Sequence, residues 1–358
     1  MVIIAVANAE DVETRVEKKV AGIIKSASAV SGIETLLFGH SHLRQIHELL
    51  ISEDKKEYNN LLELRGYSHV RNLCMFIPHI LDAEVAVLID DDEVFEDPEF
   101  ISKAKEFIGR SREGRPVNAV AGYYRQPDGD YHVRATRYPW MKPWDQLERM
   151  NEGFDKFIGT GPRLKETPFV FGGNMVIHRD LFSIPFDPWV PRGEDIDFLI
   201  NAKMFGFSFF LDNQLSIKHL PPPKTHPTWK RLREDIRRFI YERAKIEQQK
   251  DREGMTKVHP EDFDPYPGCF LKRDLDEKIE KSCRLLSAEY LARGDRQGSE
   301  EALKNIAIAA TDAGSGPDPF QRLCELKKCW EGLMEHTGKT EVRSHIRKII
   351  EGMAIAID

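Results

Sequence analysis

Four consecutive acids, Asp90-Asp91-Asp92-Glu93, follow directly on the apolar run EVAVLI at residues 84–89. Carboxylates two apart at the end of a buried strand can converge on one hard divalent cation, Mg²⁺ or Mn²⁺, and leave positions open for phosphate oxygens. Without a cation, four such charges repel one another. Capping the helix expected from Pro98 would use one acid and leave three unexplained. A second acidic group, Glu194, Asp195 and Asp197, stands behind Gly193 at the start of a predicted helix. Acids there complement the helix dipole, yet three in four residues exceed that need, and one of them could act as a general base. His219 follows the last strand-like run, and neutral imidazole suits Mn²⁺ better than Mg²⁺. Gly172 and Gly173 either let a ligand approach backbone closely or mark a bulge. Trp140, Trp144 and Trp189 could stack on a sugar face or serve as packing anchors.

The elements that must position these residues alternate. Apolar runs at 2–6, 33–38, 61–64, 84–89, 117–124, 169–177 and 208–211 read as strands, with 131–135 as a hairpin partner of 117–124. Three- and four-residue apolar spacing predicts helices over 11–26, 43–51, 70–81, 98–108 and 194–205. The stretch 136–167, rich in Trp, Pro and Gly, reads as a long functional loop. Strands alternating with helices imply right-handed crossovers and an α/β fold, a mainly parallel sheet flanked by helices. Ligands in such sheets bind beyond the carboxyl ends of the strands, where Asn8 and the acid cluster both fall. From residue 228 the character changes: a basic helix with an apolar stripe is followed by helical periodicity over 271–293, 299–313, 318–335 and 340–354, with Gly294, Gly314 and Gly338 as stops. The divisions expected are therefore 1–220, a basic helix and Pro-rich linker over 221–270, and a helical C-terminal region over 271–358.

Composition narrows the classes. The chain has 358 residues, 59 acidic and 52 basic side chains, a net charge of −7 and 41% hydrophobic content. That is too apolar for disorder and not basic enough for a nucleic-acid coat, so no nucleic-acid partner is expected. No run of roughly 18 uncharged apolar residues is present, as a spanning helix would need. The N-terminus lacks a basic n-region and reads as a buried strand, not a signal peptide. Five scattered cysteines suit neither a disulfide framework nor zinc, which points to a reduced, cytoplasmic protein. The stretch 224–245 holds eight basic and three acidic residues. It reads first as a solvated outer face docked by its apolar stripe, with an anionic acceptor or peripheral contact with an acidic membrane as the other readings. The helices beyond it could cover the sheet, shape a pocket or form a homo-oligomer interface.

Two families use a motif like IDDDEV differently. In haloacid-dehalogenase-like phosphatases Asp90 would be a nucleophile and Asp92 an acid/base, but that motif follows the first strand, whereas several strand-helix units precede it here. The order of parts over residues 2–220 instead resembles family 2-like GT-A glycosyltransferases. AVANAE keeps Asn8 and Glu10 of the family's opening turn, with alanine where proline is usual. His69-Val70-Arg71-Asn72 matches the Arg-Asn pair before the DxD strand, Phe171-Gly172-Gly173-Asn174 the Gly-Gly strand, Gly193-Glu194-Asp195 the Glu-Asp motif, and His219 the late histidine. The resemblance implies that 1–220 binds a UDP- or GDP-sugar and transfers the sugar to a carbohydrate or other hydroxyl acceptor. Asn8, Glu10, Arg71, Asp90 and Asp91 would hold the donor. Asp92 and His219 would hold Mn²⁺ or Mg²⁺ on the diphosphate. Gly172, Gly173, Asn174 and Trp189 would meet the acceptor. Asp195, with Glu194 and Asp197 as rivals, would be the base of an inverting displacement. A dehalogenase-like phosphatase and a non-catalytic nucleotide-sugar-binding module are the alternatives.

Overall fold

In a computed structural model describing residues 1–7, 9–223 and 226–352, with 312–315 as backbone only, the chain forms two units. The first comprises Met1–Glu84, Phe182–Pro188 and Leu326–Asp358; the second comprises Val85–Leu181 and Trp189–Glu325. The prolines at 221–223 lie inside the second.

In the first unit, β1 (Val2–Ile4) pairs in parallel with β2 (Leu36–Phe38), Val2 opposite Leu36. Parallel neighbours need a crossover, here α1 (Glu13–Ser31), which stops at Gly32 in the left-handed conformation, φ 66°. Next come α2 (His40–Ser52), burying Leu43, Ile46 and Leu50 at helical spacing, and α3 (Tyr67–Ile80). The apolar run at 61–64 is not a strand. Leu61, Leu62 and Leu64 are buried from a 3₁₀ turn and irregular chain, since so short a run satisfies burial in either conformation. Two side chains fasten the distant segment Phe182–Pro188 into this unit. Asn72 donates from Nδ2 to Phe186 O at 3.1 Å and accepts Phe186 N–H at 2.8 Å, and the fully buried Trp330 donates Nε1–H to Phe182 O at 2.8 Å.

The second unit contains, in chain order, β3 (Val85–Ile89), β4 (Glu93–Val94), α4 (Phe100–Phe107), β5 (Ser111–Arg112), β6 (Arg115–Pro116) and β7 (Ala119–Arg125). It continues with α5 (Gln146–Phe157), β8 (Leu164–Glu166), β9 (Asn174–His178), α6 (Glu194–Met204) and β10 (Phe209–His219). The helices α7 (Thr228–Glu247), α8 (Leu275–Ala292), α9 (Arg296–Ser315) and α10 (Pro319–Gly338) follow, the unit boundary falling within α10; a last helix, Thr340–Gly352, returns to the first unit. The six-stranded sheet has the order β3-β9-β7-β10-β4, with β8 also on β10. β7 and β10 pair in parallel, while β9 is antiparallel to both β3 and β7, and β4 and β8 are antiparallel to β10. The expected α/β class is present, with a mixed sheet in which β3, β7 and β10 share a direction. Phe100, Ala104, Val120, Leu164, Val176, Phe210 and Ile217 form its core.

Three expectations need correction. The stretch 136–167 carries α5 and β8; α5 buries only Gly153 and Phe154, so its apolar period is too thin to read. Residues 131–135 are not a hairpin strand, because Val133 is held at both N–H and C=O by the Asn151 side chain on α5, 3.0 Å each. β10 runs eight residues past the expected end at 211. The polar triplet Asp212-Asn213-Gln214 hides its continuation, and the register shifts between Leu211 and Ser216. The buried Asp212 is held there by Arg163 through two bonds of 2.8 and 2.7 Å.

Among the described residues no helix is long and apolar enough to cross a membrane. The basic helix α7 is not a solvated face either. Arg238 and Lys245 are buried, Arg233 is bonded to Glu301 and Asn305, and Arg243 is bonded to Asp276.

Candidate active site

β3 ends at Ile89, and the acids turn the chain back into β4, where Glu93 lies opposite His219 on β10. A backbone bond from Leu220 N–H to Asp92 O, 2.8 Å, extends that pairing. The ladder thus forces residues 127 positions apart together: His219 Nε2 lies 3.3 Å from Asp92 Oδ2, both partly exposed. Tyr124, at the end of β7, stacks on the His219 ring at 4.5 Å between centroids and orients it. Asp91 points from the exposed tip of the turn.

The loop before β9 closes the other side. Gly173 N–H donates to Tyr124 Oη at 2.7 Å, and a Cβ at Gly173 would lie 2.1 Å from Glu93 Oε1 and 2.7 Å from Asp90 Oδ2. Both carboxylates therefore rest against bare backbone. Glu93 accepts the Asp90 N–H through Oε2 at 2.8 Å, while its Oε1 is buried without a hydrogen-bond partner. Burial, reinforced by the Asp90 charge, pushes the Glu93 carboxyl up to about 8. Burial, then Glu93 and Asp90, hold the Tyr124 hydroxyl above its ordinary range, so it stays protonated. Replacing Gly173 by Ala is expected to displace Glu93 and Asp90, weakening any metal-nucleotide binding by about tenfold or more at a fold cost of about 1–3 kcal/mol. Calorimetric titration and thermal unfolding of the variant measure the two effects separately.

The second acidic group divides by exposure. Asp195 is partly exposed and accepts Gly172 N–H at 3.0 Å and Ile196 N–H at 2.9 Å, which brings it to the same glycine loop as Asp90 and Glu93. Glu194 is buried. Asp197 is fully buried in an ion pair with Lys245 Nζ at 2.6 Å, and Asn201 bonds both partners. The expected rival role for Asp197 as base is corrected: this acid builds the fold and has no access to an acceptor. Removing only its partner leaves a buried charge unpaired. Lys245→Met is accordingly expected to cost about 3–5 kcal/mol in chemical denaturation, and Lys245→Met with Asp197→Leu much less.

The remaining expected site residues are spread out. Asn174 is buried; its Nδ2 bonds Tyr123 O and Leu215 O, tying β9 to its neighbours. Trp189 is 65% exposed, with the Arg322 guanidinium over its ring at 3.3 Å, whereas Trp144 packs against Phe239 and Phe270 as an anchor. Within the first unit, Arg71 is buried on α3, contrary to the usual exposure of arginine, and Glu10 forms an exposed pair with Arg65 at 2.8 Å. Asn8 lies outside the described residues.

Sequence reading placed Glu93 in the acid cluster without a role of its own, and it did not single out Tyr124 or the buried charges of α7. A signal existed for α7: Asp235, Glu242 and Arg243 fall on the same three- and four-residue stripe as Leu232, Ile236, Phe239 and Ile246, the positions a helix buries.

Among the described residues no three His, Cys, Asp or Glu side chains form a ready-made metal cage. The donor set nonetheless fits a cation shared with a phosphate ligand. Asp92 and His219 would supply one oxygen and one nitrogen, and a diphosphate would supply the rest, as Mg²⁺-type ions commonly require.

No protein-family model matches the chain, and no curated protein matches its sequence. Among solved structures it is similar to the mannosyltransferase PcManGT from Pyrobaculum calidifontis in complex with GDP-Man and Mn2+. The sequence identity is 14% and the TM-score 0.45, over 95% of this chain and 77% of that one. At that TM-score the likeness carries no argument about fold or chemistry.

Proposed function

We propose that the chain is a metal-dependent glycosyltransferase that moves a sugar from a UDP- or GDP-sugar to a hydroxyl acceptor with inversion. One observation carries this reading: Asp90 and Glu93 abut Gly173 and the partly exposed Asp195 accepts from Gly172, while the Tyr124 hydroxyl bonded by Gly173 belongs to the ring stacked on His219, the partner of Asp92. A cation-binding edge and a candidate base on one small surface are what a displacement at a sugar carbon needs. When bound, Mn²⁺ or Mg²⁺ would neutralise charge on the departing diphosphate.

In this reading Asp92 and His219 hold the metal, with the Tyr124 ring fixing the imidazole plane. Asp90 accepts hydroxyls of the donor, Asp91 faces it from the exposed turn, and Gly173 lets the diphosphate side approach without a side chain between. Asp195, held by two backbone N–H groups, takes the acceptor proton. Gly172 and Trp189 border the acceptor, and Glu194 braces the turn from its buried position.

Thermal unfolding with UDP, GDP and their sugars, each with and without Mn²⁺, tests the proposal. A rise in the unfolding midpoint that needs both nucleotide and metal supports it; none with any of them overturns it. Acyl-phosphate formation on Asp90 with a phosphate analogue would replace it by a phosphatase.

A further inference from the structure

Beneath the turn that presents Asp195 lies a set of buried charges on α7 that the proposed reaction does not use. Gly193 has φ 76°, and a Cβ there would fall 1.7 Å from Arg238 Nη1 and 2.7 Å from its Cδ and Cζ. The guanidinium therefore occupies the volume of the missing side chain, in direct contact with the turn. Arg238 is itself buried. Its Nη2 donates to Tyr266 Oη at 2.9 Å, its cation lies 4.2 Å from the Phe239 ring centroid, and Asp235 and Glu242 stand 3.7 and 3.9 Å away. Tyr266 Oη is held in turn by Gln146 Nε2 at 3.3 Å.

Glu242 is fully buried, and neither carboxylate oxygen has a hydrogen-bond partner; Arg238 Nε also lacks one. Native proteins rarely leave such groups unsatisfied, and buried ion pairs seldom repay their desolvation as stability. The cluster is better explained by what it holds in place. Burial keeps the Glu242 carboxyl up at about 8, with Asp197 and Asp195 adding to the rise against Arg238 and Lys245.

We propose that Arg238, steadied by Tyr266 and Glu242, is the positioning residue for the Gly193-Glu194-Asp195 turn, setting where the Asp195 carboxylate meets Gly172. Only the catalytic part of this inference rests on the transferase reading. Replacing Arg238 by an apolar chain of similar length keeps the bulk under the turn, and Asp235 retains a partner in Arg192 at 3.4 Å. Loss of position can then be separated from loss of fold.

The experiment compares Arg238→Met and Glu242→Leu with wild type and with Glu242→Gln as the conservative rescue, using the full chain. Hydrogen exchange is read at Gly172, Ile196 and Asp197, the first two bonded to Asp195 and the third to Gly193 O. At least about tenfold faster exchange confined to those amides, with the thermal midpoint kept, supports the proposal. Unchanged exchange, or acceleration throughout α6 with a lowered midpoint, overturns it. In the transfer assay kcat is expected to fall about tenfold or more while the KM for donor stays within twofold, and Glu242→Gln is expected to restore it. Equal losses in kcat and donor binding count against positioning. If wild type binds no nucleoside diphosphate with Mn²⁺, the transferase reading fails, and the exchange data still decide the role of Arg238.

Discussion

Asp92→Ala removes the metal-dependent gain in nucleotide affinity, an expected loss of at least about a hundredfold in binding and about a thousandfold in turnover. In the free protein the substitution removes a like charge near Glu93 and also the His219 contact at 3.3 Å, two opposing effects, so the unliganded thermal midpoint is expected to change little. What disappears is stabilisation by ligand, which follows the logarithm of ligand concentration over Kd and is worth about 2.7 kcal/mol at a hundredfold excess. Glu96→Ala is the control. It lies on the same segment, but its partners are Lys218 at 2.8 Å and Arg125 at 3.5 Å, and it should leave both quantities within twofold. Differential calorimetry with and without Mn²⁺ and nucleoside diphosphate gives the answer. An Asp92→Ala protein that still gains stability from metal plus nucleotide would remove the metal assignment.

Asp195→Asn should lower kcat by about 10²- to 10⁴-fold, the usual range for a lost general base, with donor and metal affinity within twofold. The amide keeps the shape of the carboxylate but can accept only one of the two backbone N–H groups that Asp195 now binds, so about 1 kcal/mol of stability goes with it. Glu194→Gln separates the two neighbouring acids. Because Glu194 is buried, its substitution should show in thermal stability more than in kcat. Steady-state kinetics on the two variants decide between them, and a kcat loss larger in Glu194→Gln would transfer the base assignment to that residue.

Much of this architecture was legible in the linear chain. The α1, α2 and α3 segments, β3, and the four C-terminal helices follow from apolar spacing, because a helix face or a buried strand must be apolar wherever it meets a core. Legibility failed where burial is polar or thin. Asp212 inside β10, the sparsely buried α5, and the charged stripe of α7 each break the link between apolarity and burial, since partners elsewhere in the fold satisfy the polar groups.

The same limit governs the site. Sequence alone determined that acids cluster after β3 and at the start of α6, and that a histidine follows the last apolar run, because composition and local period are properties of neighbours along the chain. The three-dimensional fold decided which acids do what. Asp195 and Asp197 stand two residues apart, about 200° around the helix axis. One consequently meets the backbone of Gly172 at the surface, and the other is sealed against Lys245, a partner 48 positions away. Asp92 and His219 meet only because β4 folds back onto β10. A carboxylate's chemistry depends on its solvent access and its nearest charge, and both come from residues remote in sequence.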